Sequence, residues 1–496
     1  MSGTLNGLVL PVLGRTPTGI PGLDAVLGGG LPAGRTCLIA GPPGSGKTTL
    51  GNQMAFTHAG GGGSVIYATL HTETHDIMLS NLRDLRCFDS SIPGDRIRYL
   101  NLLAALEQGG LDGVSRSLAR EMQEVGATLL VVDSSVMLEE TNTLSVELRH
   151  FAERIEAQAA LLECTTVLLT STEQPELVRP LASHANGIIH LSNQVMDSRQ
   201  VRLLEVAKLR GAEHVGGVHE LSISREGVVV HPRLESLAGS KRSTPAPGGL
   251  LSSGVPGLDE MLGGGIPAHS STLVLGTPGA GKTLLGLTFL AEGASRGEKG
   301  LMAGFHETAE ELVATGERIG LDLGVPIETR RLRMQWDPPL DLSADAWAWR
   351  LLSLVESHRP QRVFVDALTD IQRLIPSPRR LATFLAALTN ELRTLGTTAM
   401  FSAEIDAYVD QQFAFPIPSA SAAMDNAILV RHVEVHSELR RVITALKARQ
   451  TRTDPAIREM VVDERGVRVV EPLTGISSML TGRGAPLGRP ELGALL

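Results

Sequence analysis

The feature that most narrows what this chain can fold into is an internal duplication. Residues 18–31 read TGIPGLDAVLGGGL and residues 253–266 read SGVPGLDEMLGGGI, an offset of 235 positions. At the same offset, GPPGSGKT at 41–48 is matched by GTPGAGKT at 276–283. Self-similarity over a long fixed period means one structural unit used twice, and two such copies nearly fill the 496 residues. We expect a first domain over 1–236, a linker over 237–249, a second domain over 250–472 and a flexible tail over 473–496. The linker, LAGSKRSTPAPGG, has Gly, Pro, Ser and Ala without apolar periodicity. After Pro472 the chain turns rich in Gly, Pro and Leu, which reads as loosely ordered.

Within each copy, apolar runs alternate with helical stretches. The runs fall at 36–40, 64–70, 129–133, 166–170 and 187–191, then at 272–275, 300–305, 362–366, 398–401 and 427–430. They are continuous, as in strands buried on both faces of a parallel sheet. Each copy ends in β-rich segments such as 202–209 and 227–231. The pattern predicts an α/β fold present twice, each copy a doubly wound, mainly parallel sheet flanked by helices with a β-rich C-terminal extension.

Both octapeptides satisfy G-x-x-x-x-G-K-[ST] between a predicted strand and a helical stretch, the context that gives the motif meaning. The first cradle is Gly41-Pro42-Pro43-Gly44-Ser45-Gly46-Lys47-Thr48, followed by Thr49. The second is Gly276-Thr277-Pro278-Gly279-Ala280-Gly281-Lys282-Thr283, followed by Leu284. Glycines let successive backbone N–H groups turn inward on phosphates, and the helix N-terminus adds favourable partial charge. Lys47 and Lys282 are expected to reach the β- and γ-phosphates of ATP, and Thr48 and Thr283 to hold Mg²⁺. The competing reading, a Gly-rich turn that binds nothing, loses force when two motifs stand in register. Asp133 and Asp366 each close an apolar run (TLLVVD and RVFVD) that we take to lie beside the P-loop strand. Each is expected in the Mg²⁺ shell, against the alternative of capping the next turn.

These residues together resemble the KaiC family of RecA-type ATPases, over nearly all of both copies. The resemblance is carried by TGIPGLDAVLGGGLPAGR at 18–35, its repeat at 253–268, the two P-loops, KLRG at 208–211 and KAR at 447–449 followed by IRE at 457–459. It implies two tandem RecA-like P-loop domains assembled as a hexameric ring, a homo-oligomer with ATP at subunit interfaces. It further implies that Lys208, Arg210, Lys447 and Arg449 act on the nucleotide held by a neighbour. A cation supplied across an interface stabilises the charge of phosphoryl transfer and couples hydrolysis to assembly.

The departures from the family pattern matter as much. The family follows its second strand with an aromatic residue and two adjacent glutamates, which orient or deprotonate the attacking group. The second copy reads Phe305-His306-Glu307-Thr308, so Glu307 is its candidate base. The first reads Leu70-His71-Thr72-Glu73-Thr74, where Thr72 stands opposite Glu307 and a one-residue slip brings Glu73 there. His306 and His71 read either as proton acceptors or as exposed strand-end residues. The family's clock protein also phosphorylates itself on an adjacent Ser-Thr pair. Here the alignment leaves Ser421 as the phosphoacceptor and puts Ala422 in place of the threonine. The alternative is an unmodified loop serine.

Charge and composition bound the function classes. Lys and Arg total 45 against 54 Asp and Glu, a net charge of −9, and aromatics are 3%. A basic, base-stacking nucleic-acid surface is therefore disfavoured. No run of 18 apolar residues is present, so no membrane-spanning helix is expected. The mildly apolar N-terminus has no preceding Lys or Arg and does not read as a secretory signal. Three cysteines without metal spacing fit a reducing cytoplasm. Three readings stand: a KaiC-type signalling ring with ATPase and serine autokinase activity and signalling protein partners; a nucleotide-stabilised scaffold with little turnover; and a RecA-like motor on DNA.

Overall fold

The computed structural model describes residues 4–5, 8–9, 14–70, 75–88, 96–134, 145–172, 175–196, 199–237, 248–338, 343–405, 420–435, 438–472, 476–477 and 485–486. The chain divides into two compact units, Met1–Leu237 and Ala238–Leu496. Most of the linker and tail expected from the sequence lies outside the described residues. Within the tail, Ile476–Ser477 pairs with Ala485–Pro486.

The first unit holds a nine-stranded sheet. Its strands in chain order are β1 Thr36–Gly41, β2 Val65–Thr69, β3 Ile97–Asn101, β4 Leu129–Asp133, β5 Thr165–Ser171, β6 Gly187–Met196, β7 Arg199–Leu209, β8 Val218–Ser224 and β9 Gly227–His231. Their order across the sheet is β3-β2-β4-β5-β1-β6-β7-β8-β9. Pairing is parallel from β3 to β6 and antiparallel from β6 to β9. The continuous apolar runs become the inner parallel strands because both faces are covered. Leu38, Ile66 and Leu130 pack toward the helices Leu103–Val125 and Ser145–Leu161. Cys37, Ile39, Tyr67 and Val131 pack toward α1, Lys47–Gly60, on the other face.

The second unit repeats the design. Its strands are β10 Ser271–Gly276, β11 Gly300–Gly304, β12 Leu332–Trp336, β13 Arg362–Asp366, β14 Thr398–Glu404, β15 Asn426–Val435, β16 Glu438–Ala448, β17 Arg458–Asp463 and β18 Gly466–Pro472. They run in the order β12-β11-β13-β14-β10-β15-β16-β17-β18, with α2, Lys282–Ser295, after the P-loop strand β10. This is the two-copy, mainly parallel α/β architecture with a β-rich extension that the sequence predicts. The edge strands β3 and β12 were not expected. Each has one end buried and its middle half-exposed, so neither presents a continuous apolar run.

The duplicated TGIPGLD and SGVPGLD elements fold identically. Asp24 Oδ1 accepts from the Thr18 backbone N–H at 2.9 Å, and Asp259 Oδ1 from the Ser253 N–H at 2.7 Å. Gly22 and Gly257 sit at φ 79° and 87°, in the left-handed region that favours glycine. A Cβ there would meet the carbonyl oxygens of Val230 and Val469 at 2.0 and 2.6 Å. The element is thereby pinned to the far end of each sheet, where Val230 and Val469 N–H groups donate to Pro21 and Pro256.

One expectation is corrected by the topology. The strands closed by Asp133 and Asp366 are not beside the P-loop strands: β5 and β14 intervene. The aspartates reach the cradle because the helix after each P-loop crosses the intervening strand, and the helix, not the sheet, supplies the threonine they meet.

Candidate active site: two phosphate cradles

Both P-loops turn at the carboxyl end of a central strand, the place where open α/β sheets bind ligands. Gly44 and Gly46 have φ of 71° and 96°, and Gly279 and Gly281 have 73° and 103°. These left-handed glycines turn the loop tightly and lead into α1 and α2. Gly46 and Gly281 are the helix N-caps, and neither helix receives a side-chain cap hydrogen bond. The first-turn N–H groups thus remain suited to an anion.

The two lysines fold over their own loops. Lys47 Nζ donates to the carbonyls of Gly41 (2.8 Å) and Pro42 (3.0 Å). Lys282 Nζ donates to Gly276 and Thr277, both at 3.1 Å, and stands 3.6 Å from Glu404 Oε1. Burial lowers the Lys282 pKa below that of an ordinary lysine, and the charges of Glu404 and Asp366 partly restore it.

Each cradle also pairs its threonine with the strand-closing aspartate. Thr48 Oγ1 donates to Asp133 Oδ2 at 2.7 Å, and Thr283 Oγ1 donates to Asp366 Oδ2 at 2.6 Å. Tyr67 also donates to Asp133, and Ser402 to the other oxygen of Asp366. A hydroxyl and a carboxylate meeting beside a phosphate cradle are hard oxygen donors. They fit Mg²⁺, which keeps several waters and needs only one or two protein oxygens beside substrate phosphates. Among the described residues no group of three or more His, Cys, Asp or Glu gathers into a ready-made metal cage.

The cavities differ. The first, about 470 Å³, is lined by the P-loop together with Arg202 and Ile223. The second, about 780 Å³, reaches from Lys282 and Thr283 past Glu307 and His306 to Asp370 and Arg373. Glu307 lines it, with a carboxyl pKa raised by burial and by Asp366, against an opposing effect of His306. Glu73, with His71 and Thr72, lies outside the described residues. Ser421 falls in the helical turn Ala420–Ala423 before β15, but its side chain is likewise outside the described part.

The Lys-x-Arg pairs stand at the far ends of β7 and β16. Arg202 meets the first cradle, and Lys208 is six residues further along the same strand, about 20 Å at strand spacing. Lys208 Nζ donates to Ala182 O at 3.2 Å. Lys447 Nζ donates to Met424 O at 2.8 Å, and Arg449 Nη2 to Ala422 O at 3.0 Å. The pKa values of both lysines are lowered by burial first and by the neighbouring arginine second.

Several site residues have no signature in the sequence. Arg202 Nε donates to Gly44 O at 3.2 Å and Asn193 Nδ2 to Pro43 O at 3.4 Å, so β6 and β7 brace the first P-loop. Glu404 ends β14 against Lys282, at the register position that Ser171 occupies in the first copy. Asp370 receives His306. A lone polar residue on a strand or helix carries no periodic signal, and only a comparison of the two copies marks Glu404 and Asp370 as belonging to the second.

A duplicated P-loop with its hydroxyl–carboxylate pair, at the head of a mainly parallel sheet, defines a tandem P-loop nucleoside-triphosphatase of RecA-like architecture. A family model described as "ATPase: KaiC" matches residues 16–235 and again 251–474. The chain belongs to this KaiC ATPase family, which supports ATP as its nucleotide. Among curated proteins it is similar to the "Circadian clock protein KaiC3" of Synechocystis sp., 25% identical over 487 residues that cover 94% of each chain. It is also similar to the "Circadian clock oscillator protein KaiC" of Picosynechococcus sp., 25% identical over 93% of this chain and 91% of the relative. The same-named protein of Rippkaea orientalis is 26% identical over 94% of this chain and 90% of its own length.

Proposed function

We propose that this chain is a regulatory ATPase that assembles with nucleotide into a homo-oligomeric ring of about six subunits and hydrolyses ATP mainly in its second unit. The carrying observation is the pair of equivalent cradles, Lys47 with Thr48–Asp133 and Lys282 with Thr283–Asp366, built by two copies of one fold. Mg²⁺ held by each threonine and aspartate would neutralise phosphate charge. Lys47 and Lys282 would exchange loop carbonyls for phosphate oxygens. Glu307 would orient or deprotonate the attacking water. In the first copy Thr72 stands at the position that matches Glu307, and this favours a first unit that holds nucleotide chiefly for assembly.

Lys208, Arg210, Lys447 and Arg449 would serve a neighbour's nucleotide. Support comes from their distance from their own cradle along β7 and β16. In the ring, the carbonyls that now accept from Lys208, Lys447 and Arg449 would give way to a phosphate. In this reading Ser421 is the acceptor of slow phosphoryl transfer: its Oγ bonds to the γ-phosphorus, its proton leaves to a base, and ADP departs. The turn that carries it is tied to the Lys-x-Arg pair through Ala422 and Met424, which would couple modification to the interface. Signalling proteins are the partners this reading calls for.

Incubation with Mg²⁺ATP followed by phosphate-release and intact-mass measurements tests it. Steady phosphate release and one added phosphoryl group, absent from Ser421→Ala, are expected. No release refutes the ATPase reading. An unchanged mass, or an equal gain on Ser421→Ala, leaves an ATPase without autokinase activity.

A further inference from the structure

The second cavity contains a paired histidine and aspartate. His306 Nε2 lies 3.1 Å from both Oδ1 and Oδ2 of Asp370. Asp370 is 4% exposed and also accepts from Arg373 Nη1 at 3.1 Å. The pairing follows from the fold. Gly304 at the end of β11 is in register with Asp366 at the end of β13, and the Phe305 N–H donates to Asp366 O. His306 thus leaves β11 beside the start of α3, Leu368–Leu374, whose first turn carries Asp370.

A carboxylate only accepts hydrogen bonds, so Nε2 is the donor, and in the neutral imidazole the lone pair is left on Nδ1. The ring is otherwise open, with 58% of its side chain exposed, and it lines the same cavity as Lys282, Thr283 and Glu307. This is the geometry of a base held in one tautomer by a buried acid. A carboxylate in the wall of a phosphate cavity repels the ligand. Arg373 offsets part of that charge, and the rest is turned onto an imidazole that becomes cationic during the reaction. The duplication sharpens the point. His71 occupies the matching position in the first copy, but four residues after the strand-closing aspartate the first copy has Met137 where the second has Asp370.

We propose that His306, positioned by Asp370, is the general base of the second unit, with Glu307 beside it orienting the attacking water. The proposal rests on the ATPase reading above. In the step, the water oxygen bonds to the γ-phosphorus and the bond from that phosphorus to the β–γ bridging oxygen breaks. The electron pair leaves on ADP. The water proton passes to Nδ1 of His306, Asp370 stays ionised against the imidazolium, and the proton is then released to solvent.

The test compares full-length wild type with Lys282→Ala, His306→Ala and Asp370→Asn, measuring kcat, KM and the Kd of a fluorescent ATP analogue. Lys282→Ala should abolish second-unit turnover. His306→Ala should lose about 10²–10⁴-fold in kcat, the usual weight of a general base. Its analogue Kd should stay within about threefold of wild type, since a transition-state role leaves ground-state binding in place. Added imidazole should restore turnover to His306→Ala but not to Lys282→Ala. Asp370→Asn should lower kcat with KM unchanged. Wild-type turnover in His306→Ala, when Lys282→Ala has lost it, overturns the proposal. So does a loss that imidazole does not rescue, or one that comes with weakened analogue binding, because either marks a structural role. Turnover at the wild-type rate in Lys282→Ala overturns the ATPase reading of this cavity, and the proposal with it.

Discussion

Lys282 holds the second cradle in a self-satisfied state. Its ammonium is buried against two loop carbonyls and faces Glu404. A phosphate bound there would compete with those carbonyls, and the burial that lowers the Lys282 pKa would strengthen the ion pair formed in the same low-dielectric place. The copies are therefore expected to be unequal. Lys282→Ala and Glu307→Gln should remove most turnover, by about 10²–10⁴-fold for loss of a catalytic group, while Lys47→Ala should mainly weaken assembly. A phosphate-release assay on the three variants decides this, and turnover abolished by Lys47→Ala but spared by Lys282→Ala reverses the assignment. The P-loop residues were legible in the sequence because the backbone conformation itself demands glycines at fixed spacing. Asp370 and Glu404 were not. Each is one acidic residue at an element end, and it gains meaning only when the sheet order brings it to His306 or Lys282.

At the scale of elements, the helix after each P-loop must lie close to the sheet to bring its threonine to the aspartate one strand further on. Glycine permits that approach. At Gly286 in α2, a Cβ would stand 2.1 Å from the ring of Phe364 on β13. Gly286→Val should destabilise the second unit by about 1–3 kcal/mol through overpacking, read as a lowered Tm, and should weaken nucleotide binding as Thr283 moves from Asp366. Gly60, at the end of α1 with open space around the missing Cβ, is the control: Gly60→Ala should leave the Tm unchanged or raise it, since alanine favours helix by up to about 1 kcal/mol. An unchanged Tm for Gly286→Val would contradict the packing. The inner parallel strands were readable because they are apolar on both faces. The edge strands β3 (IRYLN) and β12 (LRMQW) were hidden because Arg98 and Asn101 in one, and Arg333 and Gln335 in the other, break up their apolar residues. The strand order was hidden too: an apolar run gives no sign of its neighbours, so nothing in the sequence places β5 and β14 between the aspartates and the P-loop strands.

At the scale of the whole molecule, the duplication sets the design. On the ring reading, each unit would hold a nucleotide in its own cradle and offer its own Lys-x-Arg pair, so every subunit would hold two nucleotides and offer two cationic pairs. A net charge of −9 suits protein partners better than a polyanion, and among the described residues no helix is long and apolar enough to cross a membrane. The central claim is that nucleotide joins one subunit's cradle to the next subunit's cations. The direct measurement is molar mass by light scattering with ATP, with ADP and without nucleotide. The account predicts an assembly of about six 52.7 kDa subunits in ATP, and a smaller species when nucleotide is removed. A monomer under all three conditions would contradict it.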